Sequence, residues 1–188
     1  PTREEDKLVE RHLNIEVPDD AFWIDMLEPT REEDKLVERH LNIEVPTREE
    51  QADIEPSEIL YSENGAHYMT ARLVVAVDSD MPRIAPVSFI LTKKALLTVR
   101  YDDPRSFALF VNRASKPETG ACYPEAVLAG LVEAVIDRAA DVLQGVGDAI
   151  DRLSSSVFNA QGGRQTDRQS EVLRNLGRQG DLLSKVRE

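Results

Sequence analysis

Carboxylates supply what chemistry this sequence can offer. Between positions 124 and 157, Glu133, Asp137 and Asp141 recur every four residues, and Asp148 and Asp151 lie three apart, so each group shares one face of a helix. A second group, Glu49, Glu50 and Asp53, follows the helix start marked by Thr47. Hard divalent cations such as Mg2+ take oxygen ligands, often one or two carboxylates with several waters retained. Glu49, Glu50, Asp53, Asp137 and Asp141 are therefore the candidate metal-ligating positions. The competing reading is a solvated helix face, with Arg138 and Arg152 as partial counter-charge.

Other chemistries lack their residues. The three histidines are His12, its duplicate His40, and His67, and none sits in a recognisable nucleophile–base motif. No Gly-rich phosphate loop is present, since Gly145 and Gly147 fall within a helical pattern. A single cysteine, Cys122, excludes an internal disulfide and a cysteine-rich zinc site. The expectation is a non-enzyme with no catalytic residues and no organic cofactor.

Charge narrows the partners. With 35 acidic against 23 basic residues the formal charge is -12, which repels nucleic acid and anionic membrane surfaces and favours cations. No run of about 18 apolar residues, the length that spans a bilayer, occurs, because the longest candidate, 126–136, is interrupted by Glu133. No basic segment followed by an apolar core opens the chain. As given, the polypeptide reads as soluble and suited to a reducing compartment.

The elements that must position these carboxylates are legible from period and punctuation. Residues 21–26, AFWIDM, read as a short strand. Thr30 with Glu33, and Thr47 with Glu50, each have capping-box spacing and open two helices. Segments 59–61, 68–77, 84–91 and 95–100, separated by turn residues such as Asn64-Gly65, predict an antiparallel meander. Positions 74–77 and 87–91 are apolar enough to be covered on both faces. Asp103-Pro104 starts another helix toward Arg113, with Asp as N-cap. From Pro124 onward, Leu128, Val132, Val135, Ala139, Val142, Val146, Ile150, Leu153 and Val157 form one helical seam. After Gly162-Gly163 a second helix carries Val172, Leu173, Leu176, Leu183 and Val186 and reads as cut in mid-helix at Glu188.

The first 18 residues, PTREEDKLVERHLNIEVP, recur letter for letter at 29–46. Structural repeats come as three or more diverged copies, so this pair reads as a recent duplication or, more simply, as an accident in how the sequence was assembled or recorded. The second copy has a place between a strand and a helix; the first does not. The expected organisation is 1–19 as the ectopic copy, 20–123 as an α/β sheet domain, and 124–188 as long helices packing on it.

In that order the segments 21–61, VSFILTKKALLTVRYDDPRSF, LVEAVIDRAADVLQGVGDAIDRL and GRQGDLLSKVRE resemble the N-terminal cytoplasmic domain of the CorA-like divalent metal ion transporters. The resemblance runs from about Asp20 to Glu188. It implies an α/β/α layered domain with a mainly antiparallel, mixed sheet and a long C-terminal helical hairpin whose stalk helix is truncated. It also implies a homopentamer in the intact protein, at the cytoplasmic face of the inner membrane, contacting the membrane only through missing C-terminal segments. Divalent metal ions would be its ligands, with Mg2+ regulatory; nothing in the sequence separates Mg2+ from Co2+ or Zn2+. The family's Gly-Met-Asn hallmark is absent here, and Gln51 stands where the resemblance implies an acidic ligand, beside Glu50. The function so implied is cation sensing without catalysis. The alternative is a soluble helical module that binds a partner helix through the 128–157 seam.

Overall fold

The computed structural model describes residues 17–18, 20–55, 57–79, 81–114, 123–158 and 165–187. The first copy of the duplicated segment, Cys122 and the Gly162-Gly163 break lie outside them. The elements are β1 (Trp23–Leu27), α1 (Arg31–Leu41), α2 (Arg48–Ala52), β2 (Leu60–Glu63), β3 (Ala66–Val75), β4 (Arg83–Leu91), β5 (Leu96–Arg100), α3 (Arg105–Ala114), α4 (Pro124–Phe158) and α5 (Gln165–Arg187). The strands form one five-stranded sheet in the order β1-β5-β4-β3-β2. This is the mixed α/β architecture expected from the sequence.

Local chemistry sets the element ends. Thr30 accepts from the Glu33 N–H while the Glu33 carboxylate receives the Thr30 N–H at 2.8 Å, a complete capping box. Thr47 and Glu50 repeat it for α2 at the same 2.8 Å. Asn42 ends α1 in the left-handed region, with φ 54 and ψ 53, a conformation asparagine tolerates. Asn64 (φ 50) and Gly65 (φ 82) make the tight turn between β2 and β3 and pair Tyr61 with Tyr68. Helix α3 begins at Arg105, one residue beyond Pro104. Thr30→Ala or Thr47→Ala is expected to cost about 1 kcal/mol each, and Thr→Ser to retain most of it, as read from urea midpoints.

Two compact units divide the described residues. The first draws on the described residues within Pro1–Ala71, Pro86–Tyr101 and Ala121–Leu128, the second on those within Arg72–Ala85, Asp102–Gly120 and Ala129–Glu188. In the first, Met26, Ile90, Leu97 and Val99 of the sheet meet Val37 of α1 and Ile43 and Val45 of the following segment. Ile90, Leu97 and Val99 are fully buried, each contributing about 1.5–3 kcal/mol. Val87 to Ile90 are buried on both faces as expected, whereas β3 alternates.

Strand β1 lies parallel to β5, with Asp25 level with Thr98. Asp25 Oδ1 accepts from Thr98 Oγ1 at 2.7 Å, and the Arg100 guanidinium forks onto both carboxylate oxygens, at 3.0 Å from Nε and 2.7 Å from its terminal nitrogen. Trp23 Nε1 donates to Thr98 Oγ1 at 3.1 Å. A polar chain thus ties the edge strand to the buried one.

In the second unit, Phe107 and Phe110 of α3 and Leu131 and Ala134 of α4 are buried. Further along, Val142 and Val146 of α4 pack with Leu182 of α5, flanked by Val77 and Val186. The buried stripe of α4 departs from the expected seam in its first half: Val127, Leu131 and Ala134 are buried, while Val132 is 43% exposed. Both faces of this helix are apolar, and periodicity alone does not choose between them. Val132, Ile136, Leu143 and Ile150 are left exposed at steps of four, seven and seven.

Candidate functional site

In the first unit, α1, α2 and the strands β2 and β3 border a groove of about 700 Å³. Five glutamates line it, Glu38, Glu44, Glu50, Glu58 and Glu63, and among the described residues no lysine, arginine or histidine does. Two of these carboxylates already hold the local fold. Glu38 Oε1 accepts from the Val45 N–H at 3.1 Å, and Glu50 Oε2 accepts from Thr47. Glu44, Glu58 and Glu63 are exposed, and their carboxylates have no hydrogen-bonding or ion-pair partner among the described residues.

Two tyrosines stand among these charges. Tyr61 and Tyr68 stack with ring centroids 4.6 Å apart and planes 4° from parallel. Burial pushes both phenols up from their ordinary values, and nearby carboxylates add to it: Glu63, Glu58 and Glu50 for Tyr61, and Glu63, Glu44 and Glu38 for Tyr68. Against this, the Glu44 N–H donated to the Tyr68 hydroxyl pulls that phenol down. All five glutamates therefore act on one aromatic pair. Counting outward from the Asn64-Gly65 turn would have placed Tyr61 opposite Tyr68. Nothing in the spacing of the glutamates would have brought them together.

Gln51, at the position where an acidic ligand was implied, lies in the groove lining and is only 1% exposed. Its Nε2 donates to the Pro46 carbonyl at 3.5 Å. Its Oε1 is buried without a donor among the described residues. Asp34 Oδ1 on α1 is buried in the same way, and burial, then Glu38 and Glu33, push that carboxyl up.

The five sequence candidates divide between the two units. Glu49, Glu50 and Asp53 lie on α2 and its C-cap, where the Asp53 N–H reaches the Glu49 carbonyl at 3.1 Å; only Glu50 lines the groove. Asp137 and Asp141 are exposed on successive turns of α4, and Asp137 is ion-paired with Arg113 at 3.1 Å. Among the described residues no three His, Cys, Asp or Glu side chains come together as a metal-holding group.

Residues 18–188 match the family model described as CorA-like Mg2+ transporter protein. The chain belongs to that family. A magnesium transport protein CorA from Mannheimia succiniciproducens is 29% identical over 174 residues, covering 93% of this chain and 54% of that protein. The CorA of Haemophilus influenzae is 28% identical over 167 residues, 89% of this chain and 52% of its own. The chain thus spans about half the length of these CorA relatives. The soluble domain of CorA from Methanocaldococcus jannaschii superposes with a TM-score of 0.59 over 87% of this chain and 84% of that one, at 10% identity. That likeness concerns the fold, a five-stranded α/β sheet with long C-terminal helices. Among the described residues, no helix is long and apolar enough to cross a membrane.

Proposed function

We propose that this chain is the cation-sensing part of a divalent metal ion transporter, working as a homopentamer at the cytoplasmic face of the inner membrane in the intact protein. Membership of the CorA-like family over 18–188 supports the setting. The observation that carries the sensing role is the acidic face of α4, where Glu133, Asp137 and Asp141 are exposed at four-residue steps and, among the described residues, Asp137 alone of the three is ion-paired. Like charges at that spacing destabilise a helix by a few tenths of a kcal/mol per pair. In this reading, carboxylates of α4 or α2 from neighbouring copies share a hydrated Mg2+, and the ion favours the arrangement that brings them close. Loss of the ion restores the repulsion and loosens the assembly. No enzymatic step is involved.

Sedimentation of the 188-residue chain with and without millimolar Mg2+ tests this. Mg2+ is expected to shift the chain toward larger species, and the joint variant Asp137→Asn, Asp141→Asn to weaken that shift. A profile indifferent to Mg2+, Co2+ and Zn2+ would overturn the reading. A second reading, a module that binds a partner helix, is favoured by the exposed Val132, Ile136, Leu143 and Ile150 stripe, whose seven-residue steps suit a coiled-coil seam. Association that ignores cations but is lost in Ile136→Glu would favour it.

A further inference from the structure

Tyr61 and Tyr68 face each other across the β2–β3 hairpin, held in register by the Asn64-Gly65 turn. Cross-strand aromatic pairs ordinarily serve packing. This pair has a narrower geometry. Its ring centroids are 4.6 Å apart and its planes 4° from parallel, at the short end of the separations that aromatic pairs adopt. The π lobes of one ring therefore point at those of the other.

That orientation favours one reaction. A phenoxyl radical holds much of its unpaired electron at the carbons ortho to the oxygen, in lobes perpendicular to the ring. Stacked rings present those lobes along the direction of the bond that would join them, so the orientation a bimolecular coupling must find is already built in. Access is uneven in a useful way. Tyr61 is 38% exposed and open to an outside oxidant, whereas Tyr68 is 5% exposed, its hydroxyl oxygen held by the Glu44 N–H at 3.3 Å. An electron vacancy made at Tyr61 can pass to Tyr68 across the stack. The chain's other two tyrosines are placed differently: the Arg48 guanidinium covers the Tyr101 ring at 5.4 Å, and Tyr123 is 55% exposed.

We propose that Tyr61 and Tyr68 are an oxidative modification site, at which a one-electron oxidant driven by hydrogen peroxide, of the haem-peroxidase class, joins the two rings by a carbon–carbon bond. Each phenol gives up its O–H hydrogen as a proton and an electron. The two radicals couple at ortho carbons, and the hydrogens displaced there return to the oxygens, so both phenols are restored. The chain loses two hydrogen atoms in all, and one hydrogen peroxide is reduced to two waters. The link clamps the edge strand β2 to β3 beside the acidic groove. It needs one chain and no metal ion, so it is independent of the metal-sensing reading.

The test is treatment of the dilute 188-residue chain with a haem peroxidase and hydrogen peroxide, followed by digestion and mass measurement. No lysine or arginine lies between Glu49 and Ala71, so trypsin releases both tyrosines in the single peptide 49–72. That peptide is expected to be lighter by two hydrogen atoms, to show dityrosine fluorescence, and to stay joined after a further cut at Glu63. The linked fraction should not fall on dilution, as suits a reaction within one chain. Tyr61→Phe and Tyr68→Phe should each abolish the link, whereas Tyr123→Phe should leave it unchanged and remove only covalent dimers. Tyr61→Phe keeps the ring of a half-exposed residue, so this arm is read on a folded chain even if Tyr68→Phe fails to fold. A peptide 49–72 that stays at its original mass or only gains oxygen, as at Met69, would overturn the proposal. So would a link that persists in Tyr61→Phe or disappears on dilution. Mg2+-dependent sedimentation is measured separately, so either reading can fail while the other stands.

Discussion

Gly130→Val will destabilise the protein by about 3 kcal/mol, and Gly130→Ala by about 1–2, while Gly147→Ala will stabilise it. All three changes fall in α4 and replace a helical glycine, so propensity alone predicts a gain of about 1 kcal/mol for each alanine. Space decides otherwise at 130. A Cβ there would lie 2.5 Å from Phe110 Cε2 and 3.1 Å from Cδ2, closer than carbon atoms approach without something moving. Phe110 is 3% exposed and sits in the second unit's core beside Phe107, so its ring has little room to turn aside. Overpacking of this kind costs about 1–3 kcal/mol, which exceeds the propensity gain. Valine adds two further methyl groups and the χ1 stiffness of a branched side chain in a helix. At Gly145 and Gly147 nothing lies within 4 Å of the built Cβ, so only the propensity term operates. Urea unfolding of the three variants checks the sign pattern, with unchanged slopes confirming that the midpoint shifts report stability. If Gly130→Ala gained as much as Gly147→Ala, the close approach of α3 to α4 at this point would be wrong.

The same helix shows where the sequence is legible and where it stops being so. Its existence and extent follow from a long apolar rhythm opened by Pro124. Its buried face does not, because 127, 131 and 134 are as apolar as 128, 132 and 135. What separates them is Gly130 lying against Phe110, a contact across 20 residues that no periodicity contains. Leu182 illustrates the same limit on α5: it is the buried leucine, while Leu173 and Leu176, equally apolar, stay exposed. Caps and tight turns were readable because their partners lie within three residues. Thr30, Thr47 and Asn64-Gly65 do what their spacing predicts.

The groove marks a different limit. Glu38, Glu44, Glu50, Glu58 and Glu63 surround one space only because β2 and β3 fold back beside α1 and α2. A search for carboxylates at helical spacing finds Glu49, Glu50 and Asp53, and two of these point elsewhere than the groove. Gln51 looked like the loss of a ligand. In the structure it is a buried amide whose oxygen lacks a donor among the described residues, and that is invisible until burial is known.

Asp25→Ala is expected to cost about 3 kcal/mol, lowering the melting temperature by roughly 6–12 °C for a chain of this length. The Arg100 side chain is 9% exposed and the Asp25 side chain 25%, so the pair is mostly withdrawn from water. Removing one partner of a buried ion pair costs about 3–5 kcal/mol, because the other charge stays desolvated; the partial exposure of Asp25 places this case at the lower end. Thr98 Oγ1 also loses its 2.7 Å acceptor, and with it goes part of the chain that holds Trp23. The effect should concentrate at β1, whose parallel attachment to β5 is the one strand pairing that no hairpin turn enforces. Hydrogen exchange of the Trp23–Leu27 amides should therefore quicken more than that of β4. Asp102→Ala supplies the comparison. The Asp102 side chain is 20% exposed, much like Asp25, but its partner Arg83 is 59% exposed against 9% for Arg100, so the charge left behind is solvated and the loss should stay near about 1 kcal/mol. Replacing Asp25 and Arg100 together by leucine and methionine should recover most of the loss, since two well-packed apolar groups leave no stranded charge. Equal costs for Asp25→Ala and Asp102→Ala would show that burial does not govern this pair, and the parallel edge would need another explanation.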